Sequence, residues 1–280
     1  MALGTNQITT TTAANFIPEI WSREVRLATE SNLVFAKRVF RLDFEAADYG
    51  DTIHVPDVSN IIASTKGANT EVVFNAVAET MTNVLINQHV YAAFMLEDIV
   101  KTQSKYDLRK YYTQKCGYAV RRNIDTNLAT LVASLSQTVG SADADIGDAD
   151  IISAVALVDD ADAPDEDRSI ILKPSQHGAL LRIDKFIRMD YVPNRGQAVQ
   201  KGKIGEIYGA EVFKTTNVYT SGITRYNCYM HKEAFVLAMQ KEPRTQAQYF
   251  VNWLGWAVVV DTLYGSLGYR DDHGVALLSR

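Results

Sequence analysis

The chain has 280 residues, 28 lysines and arginines against 33 acids, and a net charge of −5; 47% of residues are hydrophobic and 22% charged. This is globular composition, which excludes disorder as the main state, and it lacks the general basic excess of a dedicated sequence-specific DNA binder. Two cysteines, Cys116 and Cys228, are too few for a disulfide framework and fit a reducing compartment. The longest apolar run, 250–260, is broken by Asn252 and ended by Asp261, too short to span a membrane. Residues 1–5 lack a charged region followed by an apolar core, so no secretory signal is expected.

Residues 1–15 are small and polar, with threonines at 9–12, and read as an arm that a partner must hold. Pro18 opens a helix expected over 19–30, with Trp21, Val25 and Ala28 on one face. Residues 39–94 read as extended. A strand at 51–56 ends at Pro56, and 71–74 and 80–94 are rich in β-branched and aromatic residues. The turn-forming stretch 64–70 lies between them, which predicts a long two-stranded hairpin with its polar tip near Lys66 and Gly67. Arms of roughly 15 residues reach ~50 Å. Such a ribbon is marginal alone, so it is expected to rest on something else, a neighbouring subunit being the natural support.

Residues 105–137 carry helical periodicity through Leu108, Tyr112, Ala119, Ile124, Leu128, Leu131 and Leu135, while Lys101, Lys105 and Arg109 line another stripe. A helix of that length, about 50 Å, matches the diameter of a compact body of this size and favours a flattened or elongated molecule. A second helix is expected over 148–160, with Asp148 as N-cap and Ile151, Ile152, Val155 and Val158 buried. Then follow a buried strand at 169–172, a helix from Pro174 to about 183, and a loop at 190–205 punctuated by Gly196, Gly202 and Gly205. Strands at 210–213, 228–230, 234–238, 249–260 and 274–278 complete an α+β chain. Charge is uneven: 141–167 holds ten acids and no lysine or arginine, whereas 97–137 holds seven bases against four acids. The two stretches read either as solvated faces or as sides that meet different surroundings.

No catalytic or ligand-binding constellation emerges. The five histidines have no i, i+4 pairing and there is no CxxC, so no metal site is expected. Asp143, Asp145, Asp148 and Asp150 depart from a calcium loop, since the third acid before glycine is missing. Gly196 to Gly202-Lys203 has one residue too many for a phosphate loop, and Ile204 stands where Ser or Thr would touch magnesium. Tyr264-Gly265-Ser266-Leu267-Gly268 lacks the first glycine of a nucleophile elbow, and Ser175 and His177 are too close along the chain to form a dyad. Neither a cofactor nor an enzymatic activity is indicated.

The order of elements (arm, long hairpin, spanning helix, acidic α/β region with a glycine loop, return to strands) resembles the major capsid proteins of tailed double-stranded-DNA bacteriophages with the HK97-type fold. Asn15-Phe16-Ile17-Pro18-Glu19-Ile20-Trp21 looks like the family's arm and first helix. Gly202-Lys203-Ile204-Gly205-Glu206-Ile207-Tyr208-Gly209-Ala210-Glu211-Val212-Phe213 resembles its G-x-I-G-x-hydrophobic-x-G-x-x-V segment, and 231–238 the strand that follows. Residues 264–270 and 274–276 resemble its final peripheral strands. The likeness covers essentially the whole chain, with element order carrying most of it.

The resemblance implies four parts: an arm with a short helix at 1–38, an extended loop at 39–94, a peripheral domain with the spine helix at 95–146 and 247–280, and an axial domain at 147–246. It implies a structural protein that assembles as pentamers and hexamers into an icosahedral shell around double-stranded DNA, in the host bacterial cytoplasm. Trp21, Arg23, Ser64, Lys66, Gly67, Asn194, Arg195 and Gly196 are the expected subunit-interface residues. Lys110, Lys115, Arg121 and Arg122 are expected either to face DNA through phosphate-only contacts or to pair with acids of the next subunit. With no charged helical extension ahead of the arm, a separate scaffolding protein is expected, beside a portal and room for decoration proteins. A lysine–asparagine cross-link such as some members make would involve Lys66 and Asn252, but no catalytic acid for it is identifiable. The alternatives are an encapsulin-like nanocompartment shell and an unrelated soluble α+β enzyme.

Overall fold

The computed structural model describes residues 34–42, 50–58, 63–72, 74, 79–98, 108–183 and 205–280. The helix expected over 19–30, the start expected for the long helix and nearly all of the 190–205 loop lie outside them. In chain order the elements are α1 (Phe35–Arg38), β1 (Phe40–Arg41), β2 (Thr52–Val58), β3 (Glu79–Leu85), β4 (Gln88–Glu97), α2 (Leu108–Leu131), β5 (Thr138–Gly140), α3 (Asp148–Asp160), β6 (Arg168–Leu172), α4 (Pro174–Leu180), β7 (Glu206–Ile207), β8 (Ala210–Lys214), β9 (Thr220–Ser221), β10 (Thr224–His231), β11 (Phe235–Phe250), β12 (Gly255–Gly268) and β13 (Gly274–Ser279).

These strands make a four-stranded sheet ordered β1-β11-β12-β4, a seven-stranded sheet ordered β5-β13-β10-β6-β8-β7 with β9 on β10, and the two-stranded ribbon β2-β3. The period of two in the sequence explains how the layers stack. In the large sheet, Ile171, Cys228, Met230 and Ala276 point to one core, and Ile170, Leu172, Tyr229, Val275 and Leu277 to another. The first core is closed by α1 and by Val120, Ile124, Leu128 and Ala129 of α2, the second by Ile151, Ala154 and Val158 of α3. In the four-stranded sheet, Phe235 and Leu237 join the α2 core, while Val236 and Ala238 pack against Ile53, Val84 and Ile86 of the ribbon and its base.

The spine helix is shorter than periodicity suggested: α2 ends at Leu131, and one 3-10 turn, Val132–Ser134, follows. Its 24 described residues measure about 36 Å. Its buried face also differs in the first half, where Tyr112 and Ala119 are exposed and Thr113, Gly117 and Val120 are covered. The expected strand at 80–94 breaks at Ile86 and Asn87, so that β3 pairs within the ribbon and β4 joins the four-stranded sheet. The expected strand at 249–260 is likewise interrupted by the turn Val251–Trp253 and by Leu254 in the left-handed region at φ 41°.

Strand β2 runs through Pro56 instead of ending there. Ile86 N–H donates to Asp51 O at 2.8 Å. Counting from that pair, the alternation of an antiparallel ladder puts Pro56, opposite Met81, at a non-hydrogen-bonded position, where the missing N–H removes no ladder bond. In α3 the N-cap is Gly147, whose N–H donates to the Asp150 carboxylate at 2.8 Å. Asp148 is the first helical residue and accepts from the Tyr208 hydroxyl at 2.7 Å. Ile152, expected inside, is exposed. The closing strand β13, expected with the peripheral strands, lies between β5 and β10 of the large sheet.

The ribbon does not hang free at its base. Gln240 Nε2 donates to Gly50 O at 2.9 Å, and Arg270 Nη2 lies 3.9 Å from Asp57. The approach depends on Gly265, where an added Cβ would stand 2.2 Å from Leu85 O, well inside contact distance. Gly265→Ala is therefore expected to lower stability by about 2–3 kcal/mol through overpacking against backbone. Gly268→Ala, with nothing within 4 Å of the added carbon, is the control. Thermal melting of the two variants checks the difference.

Candidate assembly surfaces

The alternation that seats one face of the ribbon on the body turns the other face outward. On that face Met81 is 62% and Leu85 55% exposed, beside His54, whose Nδ1 lies 2.6 Å from Asn83 Oδ1. In the loop beyond, Phe74 is 90% exposed. A second apolar extremity is the β11–β12 turn, with Phe250, Val251, Trp253 and Leu254 all exposed. The first patch runs along the ribbon into the loop beyond it and the second lies at a hairpin tip, places where a chain folded only for itself would put polar residues.

Three buried polar clusters fix the body from which these tips project. In the four-stranded sheet Asp261, 5% exposed, accepts from Arg244 Nε at 3.0 Å and from Arg244 Nη2 at 2.9 Å, with His89 Nε2 at 3.3 Å and Gln246 Nε2 at 3.5 Å. Burial raises its carboxyl pKa, but the hydrogen bonds and charges of Arg244 and His89 outweigh this and hold it below the ordinary carboxylate value. In the acidic segment the buried Arg168 donates to Pro164 O at 2.8 Å and Ala163 O at 2.7 Å, and its guanidinium meets Asp159 at 2.5 Å and Asp165 at 2.9 Å. One guanidinium thereby ties the end of α3 and the turn after it to the first residue of β6.

The third cluster sits where the chain crosses between sheets. His231 ends β10, Glu233 lies in the turn into β11, and His273 lies in the turn into β13. Their ligand atoms fall within 4.8 Å of one another, the two rings meeting edge to face at 5.7 Å. Spacing alone concealed this trio, because His273 comes from a distant turn. His231 Nδ1 accepts from Glu233 N–H at 3.3 Å, and Arg270 Nε stands 3.6 Å from the Glu233 carboxylate. One imidazole nitrogen and the carboxylate charge are thus already engaged, and the trio reads as a polar lock on the two crossovers.

The chain matches the phage capsid protein family over residues 45–275. It belongs to that family. A structure from Mycobacterium phage Che8 shares the fold at a TM-score of 0.75 and 19% identity, covering 99% of this chain and 96% of that one. The capsid of cyanophage P-SCSP1u does so at 0.75 and 14%, covering 100% and 93%. A virus-like particle from Pyrococcus furiosus follows at 0.61 and 11%, covering 94% and 99%. No curated protein matches. The fold is the HK97-type α+β fold, and the protein is a structural major capsid protein of the virion.

For this capsid protein, the site residues read from sequence divide into three groups. Trp21, Arg23, Asn194, Arg195 and Gly196 lie outside the described residues. Ser64, Lys66 and Gly67 are exposed between the ribbon strands, where the Thr70 hydroxyl donates to Gly67 O at 2.8 Å. On α2, Lys115 and Arg122 are exposed and, seven residues apart, share a stripe; Lys110 lies on the first turn. Arg121 departs from the expectation of a DNA-facing base. It is 4% exposed, with its guanidinium 4.6 Å from the Tyr118 ring centroid, one turn from the buried Asp125. Asp125 accepts from Phe35 N–H at 3.0 Å and Asn217 Nδ2 at 3.1 Å, and burial pushes its carboxyl up despite these bonds. Asp125 ties α1 to α2 inside the subunit, with Arg121 buried one turn before it.

Because the folded pKa of Asp261 is depressed, its contribution to stability is full above its unfolded value near ~4 and fades as pH falls through the lower folded value. Asp261→Asn is expected to destabilise the subunit by about 1–3 kcal/mol at pH 7 and to flatten its stability profile below about pH 4. Denaturant melts across pH 2–7 check both effects.

Proposed function

We propose that this capsid protein assembles as pentamers and hexamers into an icosahedral shell enclosing double-stranded DNA, built in the host bacterial cytoplasm with a separate scaffolding protein and a portal. The observation that carries the reading is the exposed apolar surface of this element, Met81 and Leu85 on the outward face of the ribbon and Phe74 in the loop beyond, while the inner face is already satisfied by its own body. A neighbouring copy lying under the loop is the partner that buries it, and Ser64, Lys66 and Gly67 lie at that contact. Lys115 and Arg122, with Lys110 on the same helix, form the set that meets DNA phosphates without reading sequence. Arg121 is excluded from it by its burial.

The expressed chain is expected to form closed particles, alone or with its scaffold, by sedimentation and negative-stain microscopy. Phe74→Ser with Met81→Ser is expected to reduce the assembled fraction by ~tenfold or more while leaving the subunit's melting temperature unchanged, since neither side chain packs in its own core. A monomer that never assembles overturns the reading, and so does a doubly substituted chain that assembles like the wild type.

A further inference from the structure

At the end of the large sheet where β6 meets α4, a cleft of about 610 Å³ is lined by Lys173, Arg182, Arg225 and Arg280. Among the described lining residues, two carboxylates face these four cations, the Asp145 side chain and the α-carboxylate of Arg280, which leaves a local charge of +2. Asp145 is held by Arg280, Nε to Oδ1 and Nη2 to Oδ2 both at 3.1 Å. Arg225 Nη1 donates to Ser175 Oγ at 2.9 Å and to an oxygen of the Arg280 α-carboxylate at 2.5 Å. Burial, and then the charge of Arg225, press the Lys173 ammonium pKa down.

The same domain ends in the opposite sign. Strand β6 runs from Arg168 to Leu172, so the acidic turn 159–167 precedes it and the cleft follows it, about 16 Å further along. Antiparallel β10 confirms the polarity: it starts at the cleft beside Arg225 and ends next to Lys232, 3.8 Å from Asp167. Arg168 engages Asp159 and Asp165, which leaves Asp160, Asp162 and Glu166 exposed at that end. The rigid sheet prevents one chain from joining its own two ends.

We infer that the cationic cleft seats the acidic turn, with Asp160 and Glu166, of the next copy around a local symmetry axis. The inference rests on the shell reading above and deepens it. Opposite charges at opposite ends of one domain specify a head-to-tail, heterologous contact, the kind that closes into rings. The chain carries cleft and occupant in equal numbers, and each keeps an excess of one sign that its own neighbours only partly neutralise.

Two double substitutions test it. Lys173→Glu with Arg182→Glu makes the contact acid against acid, and Asp160→Lys with Glu166→Lys makes it base against base. Each is expected to reduce the assembled fraction by ~tenfold or more, and all four together to restore it to within about threefold of wild type. Chains of the two doubly substituted kinds, mixed, are expected to co-assemble by alternating around even-numbered rings and not odd ones, giving open sheets or tubes in place of closed particles. Melting curves confirm that each variant folds; if the glutamate pair does not, Lys173→Gln with Arg182→Gln takes its place, with a loss of ~threefold expected. Wild-type particles alongside an unimpaired cleft variant overturn the contact alone. So do folded variants that the fourfold combination fails to rescue, and so do cleft variants that assemble normally but retain less DNA, which would make the cleft a phosphate site. Failure of the wild type to form any particle removes the shell reading and the contact with it.

Discussion

One helix face has to close two sheets. From Val120 to Ala129, α2 covers the inner sides of both the four-stranded and the seven-stranded sheet, and residues of both meet it in a single core. Every other feature of the subunit adjusts to that requirement. The large sheet needs α3 because α2 covers only one of its faces. The small sheet needs the ribbon for the same reason. Besides the passage through α2 from β4 to β5, the chain crosses between the sheets in two short turns, from β10 to β11 and from β12 to β13, which is where the His231, Glu233 and His273 lock is built. A helix that spans two sheets cannot be apolar all along its buried side, because its edges approach loop backbone. The interior pair Arg121 and Asp125 belongs to that margin, with Asp125 hydrogen-bonding the start of α1 and the Asn217 side chain.

The features that the sequence made legible were those governed by period. Helix α3 has the bounds its apolar spacing predicts, and the buried strand at 169–172 grows by only one residue. The hairpin and the α+β class followed from β-branched runs around a polar turn. What stayed hidden was set by partners distant in sequence. Pro56 looked like a strand end because its exemption depends on the phase of the ladder with β3. The break at Ile86 and Asn87 has no turn signature; it arises because β3 and β4 serve different sheets. Ile152 satisfied the helical period but falls on the solvent side of α3.

The same division explains what was missed at the polar sites. Asp261 sits inside an apolar run and was read as its terminator, whereas it is the acceptor for side chains from two flanking strands. Arg168 was one base after a run of acids; its role as their clamp depends on carbonyls four and five residues back and on the last turn of α3. Arg121 and Arg122 are adjacent and chemically identical, yet 100° of helical rotation buries one and exposes the other. Charge counting along α2 cannot make that distinction. At under a fifth identity to a structure with a TM-score of 0.75, the fold persists where most individual residues do not.

The subunit is complete in its middle and incomplete at its margins, and the physics of a quasi-symmetric container favours that distribution. Copies in nonequivalent positions must keep one interior while their contacts bend. A rigid core closed by α2 supplies the first requirement, and the contacts proposed above, along the ribbon and between oppositely charged ends, are of the kind that supplies the second. Apolar tips bury area without demanding one geometry, because dispersion and desolvation are weakly directional. A charge pair across a partly solvated cleft also tolerates small displacements, since its energy falls slowly with distance compared with that of a packed contact. It discriminates strongly by sign, so it fixes which end of one copy meets which end of the next while leaving the angle between them adjustable.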